Sequence, residues 1–185
     1  MEQYQKKAEN GLAELFDKFP ELPSNFKKGL VDWLPVLSLI FGALQLFFAI
    51  GFWRTAHSVN RLADWANSIN ETYNTGAEKV GTLGLAFWVA LVAMALTGVL
   101  GILAYSGLKD RSKKRGWDLL LLAQIVSVLA GLFAAFSSYG NSIIGTLLGA
   151  VIGFYLLFQV RSFYTGHKEK VATDHTATNK TTSKE

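Results

Sequence analysis

The sequence predicts an all-α polytopic membrane protein, a bundle of four transmembrane helices with two amphipathic helices beside it. Three observations indicate this class. Half of the residues are hydrophobic and only 17% are charged, whereas about 25% are charged in ordinary soluble domains. The charges are gathered into connectors between long uncharged blocks. Finally, the number of Lys and Arg residues alternates between successive connectors.

Four blocks are long enough to span a membrane. A spanning helix needs about 20 mostly apolar residues to cross about 30 Å of hydrocarbon. The blocks that meet this requirement lie at about 34–52, 82–105, 119–139 and 142–160. Trp33, Trp53 and Trp117 stand at their ends, where membrane–water interfaces favour tryptophan. We therefore expect four transmembrane helices within a membrane domain of residues 31–164.

The orientation follows from the basic residues. The five stretches outside the spans contain 5, 3, 5, 0 and 5 Lys and Arg residues in chain order. Because cytoplasmic loops are enriched in Lys and Arg, this alternation predicts a multi-pass protein of the cell membrane with both termini in the cytoplasm.

The stretch 1–30 is predicted to be a cytoplasmic segment that contains an amphipathic helix. Its apolar residues share one helical face, and they are Tyr4, Ala8, Leu12, Leu15, Phe16 and Phe19. Pro20 and Pro23 end this helix. A helix that lies on the membrane surface fits the pattern, and a helix that binds a partner is the alternative.

The first outer connector shows a second amphipathic pattern. Its apolar face consists of Val59, Leu62, Ala63, Ala66, Ile69 and Tyr73. We expect an interfacial helix here as well. At the other end of the chain, residues 165–185 are rich in Lys, Thr, Asp and Asn, which predicts a disordered cytoplasmic tail.

The composition excludes several kinds of chemistry. The chain has no cysteine, and its three histidines lack the spacing of metal ligands. The predicted spans contain no ionisable residue, although such residues usually mark coupled transport. We predict no catalytic residue, no metal and no cofactor. Nucleic acid is not an expected partner, since the basic residues are dispersed over four connectors.

Three groups of polar residues outside the spans are candidates for a functional role. His57, Arg61 and Asp64 form a row on the outer helix that fits either a solvated face or an acid/base group. Asn70-Glu71-Thr72 matches a glycosylation sequon. The second connector holds five cations that fix the topology and fit lipid headgroups; they are Lys109, Arg111, Lys113, Lys114 and Arg115.

Four polar or amphipathic residues fall inside the predicted spans. Gln45 and Trp88 lie at matching depths near the outer side, and Gln124 and Tyr155 lie at matching depths near the inner side. Interhelical hydrogen bonds are one interpretation, since such bonds hold membrane helices together. A small polar cavity lined by these residues is the other.

A stripe of glycines marks the fourth span. Gly145, Gly149 and Gly153 recur at every fourth residue, although glycine disfavours helix by about 1 kcal/mol relative to alanine. Small residues let membrane helices approach closely. The second span has a similar stripe of small residues, namely Ala90, Ala93, Thr97 and Gly101. We expect a groove for another helix, either of the same chain or of a second copy.

The sequence is compatible with three functions. The first is a non-enzymatic membrane protein that packs against lipid or protein partners, including a homo-oligomer formed through the glycine face. The second is a small-solute facilitator or a transporter subunit, which a cavity reaching Gln45 or Gln124 would favour. The third is a lipid-modifying enzyme that uses His57, Arg61 and Asp64.

Overall fold

The computed structural model describes residues 11–14, 16, 18–111, 114–137 and 143–165. No strand occurs in these ranges. Their helices, numbered here in chain order, are α1 Ser24–Tyr73, α2 Leu85–Lys109, α3 Arg115–Phe136, α4 Ile143–Gln159 and α5 Arg161–Thr165. Residues 11–14 and Phe16 are also helical. The predicted tail after 165 lies outside the described residues, as do Tyr4, Ala8 and Leu15 of the predicted N-terminal apolar face.

The helices α1, α2 and α3 are each long and apolar enough to cross a membrane. The helix α4 is equally apolar but has 17 residues, a length of about 26 Å at 1.5 Å per residue. The structure thus supports an all-helical membrane protein with three candidate spans. Whether α4 forms the fourth span belongs to the proposal below.

The helix α1 differs from the prediction, because the first span and the outer amphipathic stretch form one helix. It runs for 50 residues without a break, or about 75 Å. The composition changes at Arg54, but a change from apolar to polar residues does not interrupt a helical hydrogen-bond ladder. The helix ends only at Tyr73 and is capped by Asn74, whose φ of 48° lies in the left-handed region.

Small residues bring α1 and α2 together. The buried residues Gly42, Ala49, Ala56 and Ala63 recur at every seventh position of α1. A Cβ atom added to Gly42 would lie 2.7 Å from the carbonyl oxygen of Gly98. The two backbones therefore approach closely enough that only glycine fits at this crossing.

The helices converge at one end of the bundle, which we call the inner end because the sequence predicts that it faces the cytoplasm. A buried cluster there includes Val31 of α1, Leu108 of α2, Trp117 of α3 and Leu157 of α4. The Nε1–H group of Trp117, which is fully buried, donates a hydrogen bond to the Leu157 carbonyl oxygen over 2.9 Å. Away from this end, α4 packs on α3.

The N-terminal segment packs on α4. The buried ring of Phe16 lies 5.6 Å from that of Phe158 and 6.2 Å from that of Phe154. The Tyr155 hydroxyl donates to the Pro20 carbonyl oxygen over 2.7 Å. In the part of the segment that the structure describes, the apolar face predicted for a membrane surface or a partner thus contacts the chain's own helix.

Candidate functional site

A hydrogen bond between two polar side chains lies halfway along the bundle. Thr97 is twelve residues from each end of α2, or about 18 Å from each. Its hydroxyl is buried and has two acceptors at 3.0 Å, namely Gln45 Oε1 of α1 and the Met94 carbonyl oxygen of α2. Thr97, predicted as a packing residue, is therefore the partner of Gln45.

Two polar residues of α3 lie near this pair. Gly107 of α2 touches Gly116 of α3, and Thr97 and Ser127 are ten and eleven residues beyond these glycines. Ser127 thus lies at about the level of Thr97. Gln124 is one turn closer to the inner end, about 4.5 Å deeper. We call Gln45, Thr97, Ser127 and Gln124 the polar layer.

A cavity of about 310 Å³ reaches the whole polar layer, and we call it the inner cavity. All four long helices contribute to its wall, and it extends inward to Leu30 of α1 and Val160 after α4. Most of the remaining wall is apolar. Ser38 also lines it, but its hydroxyl already donates to the Pro35 carbonyl oxygen over 2.8 Å.

A second cavity of about 200 Å³, the outer cavity, begins where the first one ends. The two share Gln45, Thr97 and Ser127, and the outer cavity continues to Ala134 of α3. Along α3 the two cavities together extend from Leu120 to Ala134, a distance of about 21 Å. The polar layer therefore lies where two cavities meet.

Several hydrogen-bonding groups of the polar layer are unused. Gln45 Oε1 accepts from Thr97, but its amide nitrogen has no protein partner among the described residues. The same holds for the Gln124 amide and the Ser127 hydroxyl. No charged residue lines either cavity in the described ranges. This arrangement offers neutral donors and acceptors to whatever occupies the space.

The pairs predicted from matching depth are not the pairs observed. Tyr155 bonds to Pro20 instead of Gln124, because it is two residues and therefore about 200° around α4 from Gly153, which faces Gln124. Trp88 lies beside His57, with 5.8 Å between the ring centroids. Depth can be estimated from sequence, but the face that each helix presents cannot.

The glycine stripe of α4 does not form one contact. A Cβ atom added to Gly153 would lie 2.7 Å from Gln124 Cδ, whereas Gly149 is exposed and has open space around it. Gly145 is also exposed. The reason is geometric: residues four apart drift by about 40° around a helix, so the stripe turns away from α3.

The small residues of α2 face α1 and α3. Gly101 packs on α1, where an added Cβ would lie 3.1 Å from the Ser38 carbonyl oxygen. Ala90 and Ala93 line the outer cavity with Thr97. In the described part of the chain, α2 packs on α1 and α3.

The five predicted headgroup cations have different surroundings. Arg111 forms an ion pair with Asp32 of α1. Lys114 lies 3.5 Å from Asp118 and 5.2 Å from the ring of Trp117. Lys109 and Arg115 are exposed, and Lys113 lies outside the described residues. At least two of these cations thus already have acidic partners within the chain.

In α5, burial of the Tyr164 hydroxyl removes it from water, and this desolvation raises its pKa. Among the described residues, this buried hydroxyl oxygen has no hydrogen-bond partner.

The polar row on the outer part of α1 is not gathered into a pocket with a second carboxylate. His57 packs edge-on against Trp53, with 4.8 Å between ring centroids, and Arg61 and Asp64 are exposed. Glu71 pairs with Lys79 over 2.8 Å, and this hydrogen bond lowers the pKa of Glu71 and raises that of Lys79. The described residues contain no cluster of His, Cys, Asp or Glu that could hold a metal.

Three asparagines of α1 have a role that the sequence did not reveal. Asn60, Asn67 and Asn70 hydrogen-bond to the backbone of the segment that leads back to α2. The Asn70 amide nitrogen, the acceptor of the predicted sequon, donates to the Ala77 carbonyl oxygen over 2.5 Å. Their spacing of seven and three residues on one helical face is the signal from which this contact can be predicted.

No known protein family matches this chain, and no curated protein or solved structure is similar to it. The interpretation of the cavities therefore depends on their geometry and chemistry.

Proposed function

We propose that this chain is a four-span membrane protein that binds a small neutral solute in its two cavities and lets it cross the membrane. In this proposal α4 is the fourth span and both termini are cytoplasmic. The observation that supports it best is the polar layer, whose Gln45, Gln124 and Ser127 side chains line the cavities with groups that have no protein partner among the described residues.

The energetics of the polar layer support a polar occupant. Within hydrocarbon, an unsatisfied hydrogen-bonding group costs several kcal/mol. Thr97 is at the middle of α2, so the layer would lie near the centre of the bilayer, far from bulk water. Water or a polar solute in the cavities would satisfy the Gln45, Ser127 and Gln124 side chains.

The lining of the cavities indicates the class of solute. The inner cavity, at about 310 Å³, is at the lower end of the range of about 300–1,000 Å³ for small-molecule sites. Since no charged side chain of the described residues lines it, an ion would remain uncompensated at a high cost. A neutral molecule with one or two hydrogen-bonding groups fits best. The buried cluster around Trp117 closes the inner end, so passage requires the helices to move there.

The proposal is tested by solute entry into vesicles. The purified protein is reconstituted into liposomes, and the entry of glycerol and urea is followed by light scattering. We expect faster entry than into empty liposomes, and Thr97→Val or Gln124→Leu should slow it at least tenfold. Thr72→Val is the matched control because Thr72 is exposed and remote from the cavities. Equal rates for protein-containing and empty liposomes would exclude this function.

A second candidate function is packing against a lipid or protein partner, which the sequence also predicts. The exposed face of α4 around Gly149 favours it, and a second copy of the chain is one such partner. The exposed cations Lys109 and Arg115 would contact anionic headgroups of membrane lipids.

This second candidate has its own test. Because Gly149 has open space, Gly149→Leu should leave the chain folded and release any partner helix bound there. Leu148→Ala is the control, because it removes bulk from a neighbouring exposed position. This variant should not release the partner helix. Recovery of the same crosslinked partners with both variants would contradict a packing role for this face.

A further inference from the structure

The outer half of α1 extends beyond the other helices. His57 of α1 is level with Trp88 near the start of α2, so α1 continues for sixteen residues past this level, about 24 Å. One face of this extension is covered, since Ala63 is buried and the asparagine contacts hold the returning segment there. The adjoining face is mostly exposed in the described chain.

That uncovered face has the spacing of a coiled-coil seam. Its residues recur at alternating intervals of four and three, and they are Thr55, Val59, Leu62, Ala66, Ile69 and Tyr73. An interval that averages 3.5 residues keeps a stripe facing one partner helix along its whole length. Leu62 and Tyr73 are 64% and 73% exposed, whereas Ala66 and Ile69 are half-buried, so most of the seam is open in the single chain.

The bilayer surface is a poor partner for this seam. To lie on the membrane, the outer half of α1 would have to turn sharply where the span ends. Sharp kinks arise at proline, at Gly/Ser pairs or where a group inserts into the ladder. The proline inside α1 is Pro35, near its inner end, and the helix is continuous through Trp53. The outer half therefore projects away from the membrane.

The distribution of charge fits a second copy of the same chain. All copies cross a membrane in the same direction, so two α1 helices run parallel and each seam residue faces its own counterpart. Any charge at the seam would then meet a like charge. The seam and the positions that flank it on either side are uncharged, and Arg54, Arg61, Asp64 and Glu71 all lie on other faces.

The area of the face is sufficient for a stable contact. Aromatic side chains bury about 150–250 Å² each, and Trp65, which flanks the seam, is 63% exposed. Together with Val59, Leu62 and Tyr73 it gives about 500 Å² per copy. A pair would bury about 1,000 Å², the lower limit for a specific interface.

We propose that the outer half of α1 forms a parallel coiled coil with α1 of a second copy of this chain, through the seam from Thr55 to Tyr73. The two-fold axis would stand perpendicular to the membrane. This inference does not depend on the function proposed for the cavities, since the seam and the cavities lie on different parts of the molecule.

Single cysteines test the seam directly, because the native chain has none. A disulfide requires Cβ atoms about 3.5–4.5 Å apart. In oxidised membranes, Leu62→Cys, Ala66→Cys and Ile69→Cys should form dimers at least tenfold faster than Arg61→Cys and Ser68→Cys, which lie off the seam. Equal rates at all five positions, or no dimer at any of them, would overturn the proposal. So would seam cysteines that stay monomeric and shielded from a membrane-impermeant thiol reagent, since lipid would then cover the face.

A charge placed in the seam gives a second test. Leu62→Glu would set two like charges against each other, and Leu62 is exposed enough that the single chain should still fold. In mild detergent we expect this variant to have half the mass of the wild type by light scattering, with unchanged helicity. Ser68→Glu, on another face of the same helix, should keep the mass of the dimer. A wild-type protein that is monomeric in both detergent and membranes would contradict the inference.

Discussion

The glycines of this chain occupy two kinds of position that look alike in the sequence. Gly42 and Gly98 touch backbone atoms of the facing helix, so that even one methyl group would collide there. Gly51 and Gly149 are surrounded by open space. Only the first kind is required for the close approach of two helices, and Gly149, in the middle of the stripe on α4 that is most conspicuous in the sequence, belongs to the second.

Gly42→Ala should therefore destabilise the bundle. The added Cβ atom would meet the Gly98 carbonyl oxygen and the Ile102 nitrogen, at 2.7 and 2.9 Å, and backbone atoms cannot move aside singly. We expect a melting temperature in detergent that is lower by several degrees. Gly51→Ala, on the same helix, should leave it unchanged or slightly higher, because alanine favours helix. Identical melting temperatures for both variants would show that the α1–α2 crossing is looser than the structure indicates.

Trp117 links α3 to α4 at the inner end, and Trp117→Phe should weaken this link. The variant loses the hydrogen bond from Nε1 to the Leu157 carbonyl oxygen and part of a fully buried ring. We expect the free energy of unfolding to fall by about 1–3 kcal/mol. Trp33→Phe is the control, since Trp33 is 64% exposed; denaturation followed by circular dichroism measures both. A comparable loss in the control would contradict the specific role of Trp117.

At the scale of elements, α4 depends on more than its contact with α3. The N-terminal segment contributes a stacked pair, Phe16 with Phe158, and hydrogen bonds to Tyr155 and Gln159. The amphipathic pattern of this segment predicts a helix with one apolar face, and the structure shows that α4 covers at least part of that face. The segment thus holds one wall of the inner cavity in place.

Phe16→Ala should release the N-terminal segment from α4. Phe16 is 5% exposed and touches two aromatic rings of α4, so its loss leaves the segment with few apolar contacts. We expect trypsin to cleave after Lys18, which is exposed, several-fold faster than in the wild type. Phe26→Ala serves as the control because Phe26 is 54% exposed. An unchanged cleavage rate in Phe16→Ala would mean that the hydrogen bonds alone hold the segment.

At the scale of the whole molecule, the orientation of the chain in the membrane is predicted from the distribution of Lys and Arg residues. Ser58→Cys and Asn141→Cys should react with an impermeant thiol reagent added to intact cells, since they are predicted to lie outside. Ser112→Cys and Thr178→Cys should react only after permeabilisation. Labelling of Ser112→Cys in intact cells would reverse the proposed orientation, and labelling of Asn141→Cys only after permeabilisation would remove α4 as a span.

The sequence alone determined the helical class and the approximate positions of α1, α2, α3 and α4, because apolar length and charge segregation are properties of each segment by itself. It also singled out Gln45 and Gln124, since polar residues are rare in apolar blocks, but it marked Thr97 only as a small packing residue. It did not predict that the first span and the outer amphipathic stretch form one helix that continues to Tyr73. A change from apolar to polar residues does not indicate whether the helix stops.

Only the tertiary structure decided which residues meet. Gln45 pairs with Thr97, Tyr155 reaches Pro20, and Gly149 faces open space. These outcomes depend on the rotation of each helix about its axis, and that rotation is set by the packing of all the helices together. A rotation of about 100° exchanges one residue for its neighbour in the chain. The depth of a residue along its helix can therefore be estimated from the sequence of that one segment. The cavities and the polar layer, in contrast, depend on how the helices are placed side by side.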